Sequence, residues 1–311
     1  NELSDYILSL LSSSYTLFQQ DTLVSQSTYF TLLQNSKEPL YLPECIQNDL
    51  IGIANAINKN IGINKFLFEG EPGTGKTESV KQLARILNRK LYSVNFDSII
   101  DSKLGQTAKN ISSVFKEINS FSRPSEVIVL FDEIDALALD RLNSDDLREM
   151  GRATSTLLKS MDSLNSNLVL VATTNLFKAF DKALSRRFDA IINFNRYSKE
   201  DLMEIADAII DEQSSKFDGI GKNSRLLHKI ISLCNPLPMP GDLKNLLKTS
   251  IAFSDPLNPM DYLKRLYKAI SRDAPENELK FLNEKGFTCR EMEILVGISK
   301  SEISRMLKDG E

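Results

Sequence analysis

The segment Gly70–Thr77, "GEPGTGKT", follows the apolar run Lys65–Glu69 ("KFLFE") and precedes a helical stretch that begins near Glu78. It fits the pattern G-x-x-x-x-G-K-S/T, and no other stretch restricts the fold so tightly. Its glycines let the loop curl until backbone N–H groups point at one spot, at a helix N-terminus whose dipole favours anions. A strand has to deliver the chain to that spot, and a helix has to carry it away. Glu71, Pro72, Gly73, Thr74, Gly75, Lys76, Thr77 and Glu78 are therefore expected to surround the phosphates of ATP. Within that set Lys76 reaches the β and γ phosphates, and the Thr77 hydroxyl holds Mg²⁺.

From about Leu40 to Tyr197 short apolar runs alternate with amphipathic stretches, the pattern of a parallel α/β sheet. The expected strands are Lys65–Glu69, Leu91–Phe96, Val127–Phe131, Leu168–Ala172 and Ala190–Phe194. They are apolar along most of their length, as strands covered on both faces should be.

The run "VIVLF" ends in Asp132 and Glu133, at the edge where open α/β sheets bind ligands. Asp132 suits the Mg²⁺ shell beside Thr77, and Glu133 suits the base that orients the attacking water; the plainer alternative is that both cap the next helix. "VATTN" brings Asn175 to the same edge, where an amide can hold the water or the γ phosphate. Arg186 and Arg187 stand together in "DKALSRRFD". They are either a solvated surface pair or a fixed cation that stabilises charge on a transferring phosphoryl group.

P-loop, "DEID", "TTN" and "RRFD", followed by helices, occur in an order that resembles the AAA+ ATPases, and the stretch around "RRFD" is similar to the second region of homology of the AAA clade. The resemblance covers about Leu40 to Lys268. It implies an α/β P-loop NTPase with strand order 5-1-4-3-2, a helical lid, and a homo-oligomeric ring, commonly a hexamer, with ATP between subunits. In such a ring Arg186 or Arg187 serves the neighbour's site, so an isolated subunit hydrolyses ATP poorly. Two positions depart from the family. Lys103, Leu104 and Gly105 align with a loop that carries an aromatic residue in members that thread polypeptide, and Lys244 stands where the lid often has a sensor arginine.

Four segments are expected: a helical N-terminal element (1–38), the nucleotide-binding domain (39–197), the lid (198–270) and a tail (271–311). In the tail, Thr288 with Glu291 and Ser299 with Glu302 fit capping boxes that open two helices, with Gly297 in the turn between them. Met292, Leu295, Ile298, Ile303 and Leu307 are placed to pack those helices together, so residues 286–309 resemble a helix-turn-helix. Lys300, Ser301, Ser304, Arg305 and Lys308 are its candidate DNA contacts. Residues 271–311 nonetheless hold seven Lys or Arg against nine Asp or Glu, which weakens phosphate binding by a single copy.

The whole chain, at net charge −4, has no general nucleic-acid footprint. Its three cysteines lie far apart and its one histidine, His228, reads as structural, which argues against a disulfide framework, a zinc site and histidine acid/base chemistry. The longest apolar runs are too short to span a bilayer, so a cytoplasmic protein without a membrane partner is expected. The functional expectation is a Mg²⁺-dependent AAA+ ATPase that remodels a macromolecule and is recruited to DNA by its tail. The alternatives are a protein-remodelling ATPase whose tail docks protein, and a slow ATP-dependent assembly switch.

Overall fold

The computed structural model describes residues 28–34, 40–100, 105–135, 147–176, 182–217, 219–271 and 277–309. The described residues divide into two compact units, the first drawn from those up to 40, within 44–71 and within 75–196, the second from 41–43, 72–74 and those from 197 onward.

In the first unit the elements run β1 (Phe30–Leu33), α1 (Glu44–Asn58), β2 (Lys65–Glu69), α2 (Lys76–Ile86), β3 (Lys90–Val94) and α3 (Gln106–Asn119). They continue with β4 (Val127–Phe131), α4 (Leu147–Asp162), β5 (Val169–Thr174), α5 (Lys182–Ser185) and β6 (Ala190–Asn193). The strands form one mixed sheet in the order β1-β3-β4-β5-β2-β6. The parallel strands β2 to β6, counted along the chain, follow the expected 5-1-4-3-2 order. The difference is β1, which pairs antiparallel with β3 and places Phe30 opposite Val94. Residues 30–33, within the stretch expected to be helical, are therefore strand, and residues 1–27 lie outside the described residues.

Every side chain of β4 and β5 is buried, which is why these runs read as continuously apolar. Phe131, at the end of β4, packs edge-on against Phe96 and Phe115, with ring centroids 5.7 and 5.6 Å away. The register puts Glu69 of β2 beside Thr174 of β5, and Phe131 of β4 beside Ala172. The residues that follow these three strands therefore emerge along one edge of the sheet.

The second unit is helical: α6 (Lys199–Ser214), α7 (Ser224–Ile231), α8 (Pro240–Ala252), α9 (Asp261–Ile270), α10 (Glu278–Glu284), α11 (Cys289–Val296) and α12 (Lys300–Asp309). Ser198 and Asp201 form a capping box on α6, and Thr288 and Glu291 form one on α11. Gly297 closes α11 at φ 83°, a left-handed backbone that suits glycine, and Ser299 accepts the Glu302 N–H at 3.3 Å to open α12. Leu282, Met292, Leu295 and Ile303 lie in the same core as Leu226, Leu243, Leu247 and Leu263. The apolar faces of α10 to α12 are thus spent on the core they share with α6 to α9.

Lys229 of α7 reinforces this union, donating to Glu291 at 2.7 Å and to the Gly286 carbonyl at 2.7 Å. Burial pushes the Glu291 pKa up, but the Lys229 ammonium and the Thr288 donors outweigh it and hold the carboxyl below its ordinary value. His228 pairs with Asp207 at 2.8 Å. Residues 72–74 belong to this unit through the Gly73 carbonyl, which accepts the Gly241 N–H at 2.8 Å, and the Thr74 carbonyl, which accepts the Tyr197 hydroxyl at 2.8 Å. Among the described residues no helix is long and apolar enough to cross a membrane.

Candidate functional site

Strand β2 ends at Glu69, and the chain turns into α2 through Gly75, whose φ of 89° lies in the left-handed region that glycine enters freely. Among the described residues no side chain caps α2. The positive end of its dipole lies at this loop and favours an anion such as a phosphate. Lys76 is buried, 7% exposed, and its Nζ donates to the carbonyls of Gly70 at 2.7 Å and Glu71 at 2.8 Å. Burial pushes the Lys76 pKa down, against the pull of Asp132, Asp135 and Glu133. The Glu71 N–H donates to Asn195 Oδ1 at 2.7 Å, which pins the start of the loop to the end of β6. Glu78 pairs with Lys81 one turn along α2.

Six side chains converge across the sheet edge. Thr77 Oγ1 donates to Asp132, 2.9 Å from Oδ1 and 3.2 Å from Oδ2. Thr173 Oγ1 lies 2.7 Å from the same Oδ1 and accepts the Glu133 N–H at 2.8 Å. The Asn175 amide donates to Glu133 Oε1 at 3.3 Å, while its own N–H reaches Asp135 Oδ1 at 3.3 Å. Glu133 has φ 53°, a left-handed backbone that is uncommon for a residue with a Cβ.

A hydroxyl and a carboxylate are hard oxygen ligands of the kind Mg²⁺ takes, and Mg²⁺ is usually held by one or two carboxylates together with substrate phosphates. Thr77 and Asp132 fit that description. Among the described residues no group of three or more His, Cys, Asp or Glu offers an all-protein cage instead.

The structure thus brings Lys76, Thr77, Asp132, Glu133 and Asn175 together, and adds Thr173, Asp135 and Asn195, which sequence reasoning missed. Arg186 is exposed on the turn after α5. Arg187 is half-buried, its Nε 2.8 Å from Asp162 Oδ1 at the end of α4 in an ion pair without hydrogen-bond alignment. Lys103 and Leu104 fall outside the described residues, and Gly105 precedes α3. Lys244 lies on α8, partly exposed.

The family described as "ATPase family associated with various cellular activities (AAA)" matches residues 66–196. An uncharacterized AAA family ATPase, y4kL, of Sinorhizobium fredii is 39% identical over 133 residues, 43% of this chain and 39% of that protein. Pachytene checkpoint protein 2 of Saccharomyces cerevisiae is 29% identical over 288 residues, 77% of this chain and 50% of that protein. The chain thus spans half or less of the length of these two relatives. Among solved structures, that of an E. coli MS115-1 HORMA:CdnC:Trip13 complex is similar, with TM-score 0.60 and 19% identity over 78% of this chain and 94% of that one. At that identity the likeness speaks for the fold.

Proposed function

We propose, from the match of residues 66–196 to the AAA family of ATPases, that this chain hydrolyses ATP with Mg²⁺ and uses the energy to remodel a protein partner. The observation that carries the reading is the bonded series Thr77, Asp132, Thr173, Glu133 and Asn175 beside the uncapped start of α2.

The geometry supports a division of labour among these residues. The N-terminus of α2 and the buried Lys76 ammonium attract the phosphates, and Thr77 and Asp132 hold Mg²⁺. Bound there, the ion supplies charge stabilisation to the phosphates. Glu133 orients and polarises the attacking water, and the Asn175 amide at its Oε1 keeps the carboxylate aimed. Arg186, exposed, acts as the finger on a neighbouring subunit's site in a homo-oligomeric ring, whereas Arg187 is occupied with Asp162 of its own chain.

A protein target is supported by the relatives. The similar solved structure is a complex that names HORMA and CdnC beside Trip13, and a pachytene checkpoint protein aligns over most of this chain. DNA recruitment through residues 286–309 finds no such support, and α11 and α12 bury their apolar faces in the core of the second unit.

Glu133→Gln tests the whole reading. The variant is expected to bind ATP, stop turning it over, and hold an assembly with its protein partner that survives gel filtration in ATP. Parent turnover that duplex DNA leaves unchanged at low salt belongs to the same expectation. Normal ATP turnover by Glu133→Gln would overturn the assignment, and strong stimulation by DNA would restore the DNA reading.

A further inference from the structure

We infer that Thr173 is a positioning residue for ATP hydrolysis, its hydroxyl fixing the Asp132 carboxylate and the Glu133 backbone together. The inference rests on the ATPase reading above and adds to it a residue that touches neither nucleotide nor metal.

A threonine hydroxyl has one proton to give and two lone pairs to receive with. The Glu133 N–H, 2.8 Å away, takes a lone pair, so the proton is directed at Asp132 Oδ1, 2.7 Å away. Thr173 is 1% exposed, and water cannot stand in for either bond. Its backbone does a related task, since the Thr173 carbonyl accepts the Ile134 N–H at 3.0 Å. One residue of β5 therefore receives two successive N–H groups of the turn after β4.

That turn needs holding. Glu133 sits at φ 53°, and a left-handed backbone costs a residue with a Cβ about 1 kcal/mol. Such a conformation persists where its surroundings over-determine it. Asp132 Oδ1 also receives Thr77 Oγ1 at 2.9 Å, so the carboxylate that faces the metal site is oriented from two sides. Groups that orient metal ligands in this way usually carry about 10- to 100-fold in activity or metal affinity.

Thr173→Val keeps the shape, removes the proton from Asp132 and leaves the Glu133 N–H facing a methyl group. Its kcat is expected to fall about ten-fold or more. A second measurement does not depend on turnover: affinity for a fluorescent ATP analogue, taken in EDTA and again in Mg²⁺. Thr173→Val should match the parent in EDTA and lose most of the gain that Mg²⁺ brings. Thr173→Ser, which keeps the hydroxyl, should restore both, and Thr173→Ala replaces the valine variant where that one does not fold.

A Thr173→Val protein with near-parent kcat and an intact Mg²⁺ gain would overturn the inference. So would a serine variant as impaired as the valine one. Absent turnover in the parent would instead overturn the ATPase reading, while the Mg²⁺ gain still tests Thr173.

Discussion

Glu133 combines the residue type the proposed chemistry needs with a backbone that this type resists. At φ 53° a Cβ is a liability, and glycine occupies the same region without strain. Glu133→Gly is accordingly expected to melt a few degrees above the parent while hydrolysing no ATP, a gain of about 1 kcal/mol if the turn keeps its shape. A lower melting temperature would show that the side chain supports the fold through its bond from Asn175. At this scale the site was legible wherever a residue type is rare in its setting. Two carboxylates closing an apolar strand, or a lysine after a glycine loop, have few other uses. Thr173 left no such trace, because a threonine in a buried strand also reads as an ordinary β-former. Asn195 and Asp135 were hidden likewise, since their roles depend on which loops the sheet brings side by side. The two adjacent arginines read alike in the sequence, and only the structure sets one of them, Arg187, beside Asp162.

Elements were legible where the apolar run alone decides them. Lys65–Glu69 and Val127–Phe131 begin and end where the sequence predicts, because strands covered on both faces need nothing else. β1 was missed, since Phe30–Leu33 pairs on one edge only and leaves Thr31 and Leu32 exposed. The periodicity of residues 286–309 gave two helices and their turn, and it could not give their partner; Met292 and Ile303 have the same spacing whether they pack on each other or on Leu263. The Lys229–Glu291 tie between α7 and α11 yields a prediction in pH. Glu291 has a folded pKa below its unfolded value, so its contribution to stability is complete above the unfolded pKa and is lost as pH falls through the folded one. The melting temperature of the parent should therefore drop with acid below the ordinary glutamate pKa. Glu291→Gln, less stable at neutral pH, should follow a shallower line through that window. Parallel lines would remove Glu291 from the account.

For the whole molecule the charge balance and the site point the same way. A net charge of −4 gives no broad attraction for nucleic acid, and the donors for a nucleotide are concentrated at the edge of one sheet. If sites are completed across subunits, two dead proteins can make a live one. Arg186→Ala keeps Glu133 and lacks the finger, while Glu133→Gln keeps the finger and lacks the base. Mixed together, they should recover part of the parent turnover, because some sites then pair an intact base with an intact finger. No recovery on mixing would place Arg186 in the service of its own subunit, or outside the reaction. Arg187→Ala, which loses a half-exposed pair with Asp162, should cost about 1 kcal/mol and spare turnover. The left-handed backbone at Glu133 has a consequence for inheritance as well. Any glutamate codon becomes a glycine codon by a single base change, so on the proposed reading an ordinary copying error is expected to yield a subunit that folds more easily and hydrolyses no ATP. Quality control that removes unstable chains would pass such a subunit, so only a test of the task itself would detect it.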